Sequence, residues 1–240
     1  VGVDNIDLKA AKAYQISVVN AAVATTQAVA ELTLGFMFAL VREVPRADAS
    51  MKAGQWLKKE FNGAELFGKT LGIIGFGNIG STVGKYAQAL GMNVLAFDPF
   101  RDQANIIAQG AECVSFDELL SRSDVISIHA PYKEQNHHLI NDEAFAKMKD
   151  GVFLVDDARG GIVDEEALLR ALESGKVRGA ALDVYEKEPP INWDLVKHPK
   201  VIATPHIGAQ TNEAQCRAAV DISTEVLNAL NGKPLRWKIC

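Results

Sequence analysis

The chain has 240 residues, of which 48% are hydrophobic and 23% are charged, so it can bury a sizeable core and is not disordered. Its formal net charge of −5 argues against a nucleic-acid partner and against binding to an anionic membrane surface. No apolar run approaches the ~20 residues of a membrane span, and the scattered cysteines fit neither a disulfide framework nor a zinc site. We therefore expect a cytoplasmic protein that binds no metal.

The segment before residue 60 predicts three helices and one strand. The predicted bounds are Leu8–Tyr14 for a short helix, Ile16–Asn20 for the strand, Gln27–Val44 for a long helix and Arg46–Ala53 for the last helix. Asp7 is placed to cap the first helix, and Pro45 ends or kinks the long one. The long helix has apolar residues around most of its circumference, which predicts burial on several sides.

An apolar strand followed by a glycine-rich turn is the most informative stretch of the sequence. Leu71–Ile74 leads into the pattern G-x-G-x-x-G, whose glycines are Gly75, Gly77 and Gly80, and an alanine-rich helical pattern follows. In this context Gly75 allows a tight turn, Gly77 leaves room for a pyrophosphate, and Gly80 lets the helix pack against the strand. The N-terminus of that helix offers N–H groups and a positive dipole to the phosphates. The motif therefore predicts a dinucleotide-binding site.

A carboxylate at the end of the next strand indicates which dinucleotide binds. Val94–Asp98 is apolar up to Asp98, which lies 18 residues after Gly80. A carboxylate there can accept hydrogen bonds from both hydroxyls of the adenosine ribose. We therefore predict NAD as the cofactor. The alternative interpretation is that Asp98 merely opens the turn at Pro99.

Strands alternate with helices along most of the remaining length. After the glycine motif the predicted strands are Val94–Asp98, Val125–His129, Val152–Val155, Ala180–Val184 and Val201–Thr204. Asp164 is expected to cap a helix at Glu165–Ser174, and a final amphipathic helix is predicted at Gln210–Leu230. This alternation predicts an α/β fold of the Rossmann type, a doubly wound parallel sheet covered by helices on both faces.

Four segments together resemble the D-2-hydroxyacid dehydrogenases, and most closely their phosphoglycerate dehydrogenase branch. They are VGVDNIDL, LGIIGFGNIG, DDARGGIVDEEALLRALESGKVRGAALDVYEKEPP and TPHIGAQTNEAQ. In this family a nucleotide domain is inserted into a split substrate domain, and the substrate lies in the cleft between them. The resemblance implies that residues 1–21 are a remnant of the substrate domain. It assigns residues 22–206 to the NAD-binding domain with dimerisation helices, and 207–240 to the returning helix and tail of the substrate domain.

The resemblance implies that Arg159, Glu188 and His206 carry the catalysis. His206 would take the hydroxyl proton while hydride leaves for the nicotinamide, because imidazole is a base that works near neutral pH. Glu188 would hold the second imidazole nitrogen, and Arg159 would grip the substrate carboxylate or carbonyl oxygen in a fork. From the residues alone, each has a structural alternative. Glu188 could be a carboxylate in a turn, His206 a hydrogen-bonded loop histidine, and Arg159 a charge on the surface.

The resemblance also implies further cofactor contacts in the glycine turn and at the strand ends. Asn78 and Ile79 would offer backbone N–H groups to the pyrophosphate. The other implied contacts are Ala130, Pro131, Asp157, Ala158, Arg159, Asp183, His206 and Gly208. Among these, Asp183 would approach the nicotinamide carboxamide, and its structural alternative is a cap at the end of a strand.

Histidines outside the trio are expected to have other roles. His129 ends an apolar strand and is expected to be structural or near the cofactor rather than catalytic. The pair His137-His138 has no neighbouring ligand residues in the sequence, so we expect a solvated loop rather than a metal site.

The sequence departs from the family pattern beside the expected site. The family usually has Asn where this chain has Asp156, and a small or neutral residue where it has Asp157. These acids add negative charge beside Arg159 and near an anionic substrate. The first segment of the family's substrate domain would precede Val1. We therefore expect the 240-residue chain to bind NADH, yet to turn over hydroxy acids roughly 10²-fold or more slowly than a complete enzyme.

The resemblance implies an NAD-dependent oxidoreductase that converts 3-phosphoglycerate to 3-phosphohydroxypyruvate in L-serine biosynthesis. The alternatives are a glycerate, hydroxypyruvate or glyoxylate reductase, and a non-catalytic NAD-sensing protein similar to corepressors on this scaffold. We expect a homodimer, because the long helix Gln27–Val44 carries more apolar surface than one sheet face covers, and Met51 and Trp56 extend that surface. The alternative is that the absent substrate segment covers it.

Overall fold

The structure is a computed structural model that describes residues 2–3 and 5–240. Val1 and Asp4, which belong to the opening motif VGVDNIDL, lie outside the described residues. Contacts within the chain divide it into two compact units. The first unit comprises Val1–Val29 and Gly208–Cys240, and the second comprises Ala30–Ile207.

The second unit is built on a sheet of seven parallel strands. They are β1 (Thr70–Ile74), β2 (Asn93–Phe97), β3 (Glu112–Cys113), β4 (Val125–Ile128), β5 (Val152–Asp156), β6 (Val177–Leu182) and β7 (Val201–Ala203). Their order across the sheet is β3-β2-β1-β4-β5-β6-β7, so the winding reverses between β1 and β4. Because every pair is parallel, all strands end at one edge of the sheet, here called the carboxyl edge.

Helices connect the strands and cover both faces of the sheet. In chain order they are α1 (Leu8–Ala13), α2 (Thr26–Val41), α3 (Val44–Lys52), α4 (Asn78–Ala89), α5 (Gln103–Ala108), α6 (Phe116–Arg122), α7 (Asp142–Lys147), α8 (Glu165–Glu173), α9 (Trp193–Val196) and α10 (Asn212–Leu230). One apolar core packs side chains of α2, α4 and α5 against the sheet, and the other packs side chains of α6, α7, α8 and α9. The predicted doubly wound, Rossmann-type α/β fold is confirmed.

The central strands and the helix caps follow from local sequence. All residues of β4 and β5 are buried, as expected for strands covered on both faces, and their sequences are accordingly almost continuously apolar. Asp164 caps α8 by accepting a hydrogen bond from the Ala167 N–H at 3.0 Å, as predicted. Asp7 caps α1 in the same way through the Ala10 N–H at 2.9 Å.

The first unit contains α1, α10 and the chain that runs beside them. The predicted strand Ile16–Asn20 is wrong, because this segment forms a single antiparallel bridge between Val19 and Lys238 rather than a ladder. An apolar segment needs a regular partner to become a strand, and here its neighbour is the irregular C-terminal tail. That tail is held by Glu225, whose buried carboxylate accepts backbone N–H groups of Arg236 and Trp237.

The long helix also differs from its prediction. It ends at Val41 rather than Val44, because Glu43 adopts a left-handed backbone conformation with φ of 52°. Pro45 lies in the first turn of α3, where its missing N–H has no partner to lose. Strand β3 and the short helices α5, α7 and α9 were not predicted, since each is too short to show a clear hydrophobic period. Among the described residues, every helix is too short or too polar to cross a membrane.

Candidate functional site

The turn after β1 has the backbone shape that its glycines predict. Gly75 has a positive φ of 91°, and a Cβ there would lie 2.7 Å from the backbone nitrogen of Ala130. Gly80 packs so closely that a Cβ would clash with the carbonyl oxygen of Gly75. Neither position therefore tolerates a side chain without a backbone shift.

Gly77 has the opposite surroundings. No heavy atom lies within 4 Å of the position that its Cβ would occupy, so this position opens into free space. Gly77 is also the N-cap of α4, and no side chain caps that helix end. The first-turn N–H groups, which include those of Asn78 and Ile79, thus face a space that a pyrophosphate can enter. These observations fit a bound dinucleotide.

Asp98 lies beside this turn at the end of β2. Its Oδ2 accepts a hydrogen bond from the Phe76 N–H at 2.9 Å, and its Oδ1 accepts one from the Phe100 N–H at 2.9 Å. The carboxylate thus shapes the following turn and is also fixed against the glycine loop. Because each carboxylate oxygen has a second lone pair, two hydroxyl donors can still bind. The two interpretations of Asp98 in the sequence are therefore compatible.

The structure brings Glu188 and His206 together. The Nδ1 atom of His206 lies 2.8 Å from Oε2 of Glu188, and both side chains remain partly exposed to solvent. His206 follows β7 and Glu188 follows β6, so two neighbouring strand ends supply the pair. The hydroxyl of Tyr185 joins the same two segments by donating to the carbonyl oxygen of Thr204 at 3.0 Å.

Asp183 fixes the backbone on both sides of His206. Its buried Oδ1 accepts hydrogen bonds from the Thr204 hydroxyl and from the Ile207 N–H, the latter at 2.7 Å. His206 itself has a positive φ of 54°, a left-handed conformation that is uncommon for residues other than glycine. In this structure the hydrogen bonds of the Asp183 carboxylate therefore fix the position of His206.

Arg159 lies on the loop after β5, close to the segment that carries Glu188. Its Nη1 atom donates a hydrogen bond to the carbonyl oxygen of Ala158 at 2.7 Å. The next residue, Gly160, packs against the neighbouring loop so tightly that a Cβ would clash with the carbonyl oxygen of Tyr185. The loop that carries Arg159 and the loop that carries Glu188 are thus in direct backbone contact.

The two unusual acids at the end of β5 are both buried. Asp156 accepts a hydrogen bond from the Ala158 N–H at 3.1 Å, and Asp157 accepts one from the Thr33 hydroxyl at 2.6 Å. The remaining oxygen of Asp157, Oδ1, lies 3.4 Å from Nδ1 of the buried His129. These two atoms have no hydrogen-bond partner in the part of the chain that the structure describes.

Burial determines the charge states in this cluster. It raises the pKa of Asp156 well above its ordinary value, and the neighbouring Asp157 raises it further. Burial also raises the pKa of Asp157 to about 7, with an added contribution from the charge of Asp183. The pKa of His129 is lowered by burial to about 3, so this imidazole is neutral at physiological pH.

His138 is part of a cluster that the sequence did not reveal. Its Nε2 lies 2.8 Å from Oε1 of Glu186 and its Nδ1 lies 3.7 Å from Oδ2 of Asp164, so this partly exposed loop histidine has two acidic neighbours. The three side chains offer ligand atoms within 4.8 Å of one another. Asp164 already accepts a hydrogen bond from the Ala167 N–H, and Glu186 accepts one from the Glu165 N–H. The cluster is therefore explained as a set of contacts that connects neighbouring loops.

Other expected contacts are found along the same edge or outside it. Ala130 and Pro131 follow β4, and Ala158 follows β5, so these residues lie at the carboxyl edge with Asp98. Gly208 begins the second segment of the first unit. The sequence analysis did not identify Thr33. The only indication in the sequence was its hydroxyl group within the otherwise mostly apolar run of α2.

Comparisons with known proteins place this geometry in a family. Residues 34–208 match the family model described as "D-isomer specific 2-hydroxyacid dehydrogenase, NAD binding domain". The chain is 47% identical over 235 residues to D-3-phosphoglycerate dehydrogenase of Bacillus subtilis, covering 98% of this chain and 45% of that protein. It is 48% identical over 233 residues to hydroxypyruvate reductase of Thermotoga maritima, covering 96% and 75%.

A solved structure shows the same similarity. The glyoxylate reductase from Paecilomyes thermophila superposes with a TM-score of 0.94 at 38% sequence identity, covering 100% of this chain and 73% of that one. The chain spans less than half the length of the B. subtilis relative.

The glycine turn yields a matched pair of variants. Gly77→Ala adds a methyl group to open space, so we expect an unchanged melting temperature but NADH binding weakened by about tenfold or more, because the methyl meets the pyrophosphate. Gly80→Ala forces the Gly75 carbonyl away and should lower the free energy of unfolding by about 1–3 kcal/mol. Thermal melts and NADH titrations of both variants distinguish the roles; a Gly77→Ala variant that binds NADH normally would contradict this assignment.

Asp157 makes stability depend on pH. Since its pKa is raised from 3.8 to about 7, the folded state retains a proton that the unfolded chain has lost, and stability falls as pH rises between these values. Asp157→Asn removes this dependence on pH. Between pH 5 and pH 8 the free energy of unfolding of the variant should therefore rise by on the order of 3 kcal/mol relative to that of the parent protein. Urea unfolding at both pH values measures the change. The control Asp150→Asn, at a fully exposed carboxylate before β5, should follow the parent.

Proposed function

Because the chain belongs to the D-isomer specific 2-hydroxyacid dehydrogenase family, we propose that it acts in reversible hydride transfer between NAD and a D-2-hydroxy acid. The proposed substrate is 3-phosphoglycerate, which is oxidised to 3-phosphohydroxypyruvate in L-serine biosynthesis. The B. subtilis relative, named D-3-phosphoglycerate dehydrogenase, supports this choice through its identity of 47% along nearly the whole chain.

The hydrogen bond between Glu188 and His206 is the observation that carries the proposal. Oxidation of a secondary alcohol requires a base for the hydroxyl proton while the C–H hydrogen leaves as hydride. The 2.8 Å contact of Nδ1 with Glu188 leaves Nε2 of His206 for the substrate hydroxyl. Glu188 accepts from Nδ1–H, which selects the tautomer that has a free lone pair on Nε2, and it stabilises the imidazolium after proton transfer. Bound NAD supplies the hydride acceptor.

Arg159 is proposed to orient the substrate. A guanidinium donates two parallel hydrogen bonds to a carboxylate, and this geometry fixes the carbon that loses hydride. Its loop is in backbone contact with Tyr185, which lies three residues before Glu188, so the fork and the base are supported by one packed segment.

The cofactor residues of the proposal are distributed along the carboxyl edge. Gly75, Gly77 and Gly80 shape the pyrophosphate site, and Asp98 accepts the ribose hydroxyls. The remaining proposed contacts are Asn78, Ile79, Ala130, Pro131, Asp157, Ala158, Arg159, Asp183, His206 and Gly208. We also retain the proposal that residues 22–206 are the NAD-binding domain and that residues 1–21 and 207–240 belong to the substrate domain.

One other function has specific support, and a second differs only in lacking turnover. Relatives named hydroxypyruvate reductase and glyoxylate reductase are 48% and 38% identical to this chain, which favours a 2-oxo acid reductase as the second candidate. A non-catalytic NAD sensor would keep the cofactor site but show no turnover.

Steady-state assays separate these candidates. In the protein at its native length, NADH should form with 3-phosphoglycerate at least about tenfold more efficiently than with glycerate or lactate. Preferential reduction of hydroxypyruvate or glyoxylate would favour the second candidate. Binding of NADH without turnover of any of these acids would support the sensor and reject the proposed enzyme.

Glu188→Gln tests the proposed catalytic pair. The variant keeps the side-chain shape, but the amide neither fixes the imidazole tautomer nor neutralises the imidazolium, so we expect kcat to fall by about 10²-fold or more with little change in NADH affinity. Glu173→Gln, at an exposed position near the end of α8, is the matched control and should keep full activity. An unchanged kcat in Glu188→Gln would mean that this carboxylate only shapes its loop.

Asp98 should make the site prefer NADH over NADPH. A 2′-phosphate would approach a carboxylate whose two oxygens are already fixed, and the like charges repel. Asp98→Asn should therefore weaken NADH binding and reduce the difference between the affinities for NADH and NADPH. Asp150→Asn should change neither affinity. Fluorescence titrations measure both values. Equal affinity of the parent protein for NADH and NADPH would contradict this role of Asp98.

The proposed assembly is a homodimer in the cytoplasm. In the second unit Phe38 is 44%, Val44 52%, Met51 55% and Trp56 76% exposed, so α2, α3 and the residues after them present apolar side chains to solvent. The three cysteines are free thiols, as suits a reducing compartment.

Sedimentation tests the assembly. The protein should sediment as a dimer at micromolar concentration, and Met51→Glu combined with Trp56→Glu should yield monomers. Ile191→Glu, at another apolar side chain that is 69% exposed, should remain dimeric. A monomeric parent protein would reject this interface.

A further inference from the structure

The buried pair of Asp157 and His129 lies at the carboxyl edge and has no part in the proposed hydride transfer. We propose that Asp157 is the residue by which this site distinguishes oxidised from reduced cofactor, because binding of the positively charged nicotinamide of NAD⁺ ionises Asp157 and expels one proton from the Asp157–His129 pair. This inference rests on the proposed binding of NAD. NADH has a neutral dihydronicotinamide, so it should bind without expelling that proton.

The first support is the pair of polar atoms that lack partners. Oδ1 of Asp157 and Nδ1 of His129 are buried, 3.4 Å apart, and unpaired in the part of the chain that the structure describes. Two buried acceptors that face each other are unfavourable, and one proton between them satisfies both. The geometry therefore favours a proton between Oδ1 of Asp157 and Nδ1 of His129.

The second support is that the surrounding groups accommodate the pair both with this proton and without it. When Asp157 is protonated, its Oδ1–H can point to Nδ1 of His129, 3.4 Å away, and Nε2–H donates to the Ser127 hydroxyl oxygen, 2.8 Å away. When Asp157 is ionised, Nδ1–H donates to the carboxylate and the Ser127 hydroxyl donates to Nε2. The Thr33 hydroxyl donates to Oδ2 of Asp157 at 2.6 Å in both states. Asp157 can therefore titrate while the heavy atoms keep their places.

The arrangement of Ser127, His129 and Asp157 has the order of a hydrolytic triad but not its accessibility. Ser127 is fully buried within β4, so no substrate reaches its hydroxyl. The series of Ser127, His129 and Asp157 can therefore hold or release a proton, but it cannot attack a substrate.

The third support is the local charge. Asp183, directly after β6, faces Asp157, and Asp156, the last residue of β5, precedes Asp157 in the chain, while Arg159 offsets charge at Asp156. The facing group from β4 is the neutral imidazole of His129, and the facing group from α2 is the Thr33 hydroxyl. Three carboxyl groups thus converge at one place, and an ionised Asp157 favours a cation there. Burial and Asp183 raise the pKa of Asp157 to about 7, which places the titration near physiological pH.

The fourth support is the position relative to the cofactor site. The glycine turn follows β1 and Asp98 follows β2, which places the pyrophosphate and the adenosine ribose on that side of the sheet. A dinucleotide in this fold crosses the sheet where the winding reverses, so its other half lies over the ends of β4 and β5. Asp157 and His129 follow those two strands directly.

Calorimetric titration of the 240-residue chain tests the proposal. Repeating each titration at pH 7 in buffers of different ionisation enthalpy gives the number of protons released on binding. A coupling of about tenfold predicts release of roughly 0.4 proton per NAD⁺ and almost none per NADH. The affinity for NAD⁺ should accordingly rise up to about tenfold from pH 5.5 to pH 8, while the affinity for NADH stays constant.

Three variants locate the proton. Asp157→Asn should bind both cofactors without proton release, while Asp156→Asn and the distant Asp150→Asn should retain it. Thr33→Val provides a second route if Asp157→Asn fails to fold. Loss of a hydrogen bond to the ionised carboxylate should move the release to higher pH.

The outcomes distinguish this inference from the function on which it rests. Equal proton release with NAD⁺ and NADH, or release that persists in Asp157→Asn, would overturn the role of Asp157 while leaving cofactor binding established. Failure of the parent chain to bind either cofactor would reject the proposed function and this inference with it.

Discussion

The parallel direction of all seven strands is the constraint on which the candidate site depends. Parallel pairing forces each strand to end at the same edge, so residues that are far apart in sequence follow one another along that edge. The glycine turn, Asp98, Asp157, Asp183 and His206 come directly or almost directly after five different strands. Helices on both faces bury the sheet and leave this edge as the place where polar groups can meet a ligand.

Backbone contacts then fix the positions of individual groups along the edge. Gly80 and Gly160 allow approaches that any side chain would block, the first between α4 and the turn and the second between two site loops. Asp183 uses one carboxylate oxygen to hold the chain on both sides of His206. The left-handed conformation of His206 is unfavourable for a non-glycine residue, so it persists because these hydrogen bonds enforce it.

Buried carboxyl groups give the site an electrostatic character that exposed ones would not. Asp156 and Asp157 are held in a place where ionisation is unfavourable, so their charge depends on what else is bound nearby. A surface acid would be screened by water and would respond weakly to a ligand. The two acids beside an anionic substrate are therefore compatible with the site, because burial disfavours their ionised forms.

The amino-acid sequence by itself determined the longer strands and helices, the glycine turn, the acid after β2 and the cap of α8, since these depend on neighbouring residues and on local periodicity. The resemblance carried by four long segments predicts the trio, and of these three residues the structure pairs Glu188 with His206. Tertiary structure alone decided the partners of Asp157, because Thr33 lies 124 positions away on α2 and no local pattern links them. It also decided that the segment before α2 forms no strand and that His138 ties two loops together, since both outcomes depend on which distant segment lies alongside. Local chemistry specifies elements and turns, whereas burial and long-range contact determine charge state and pairing.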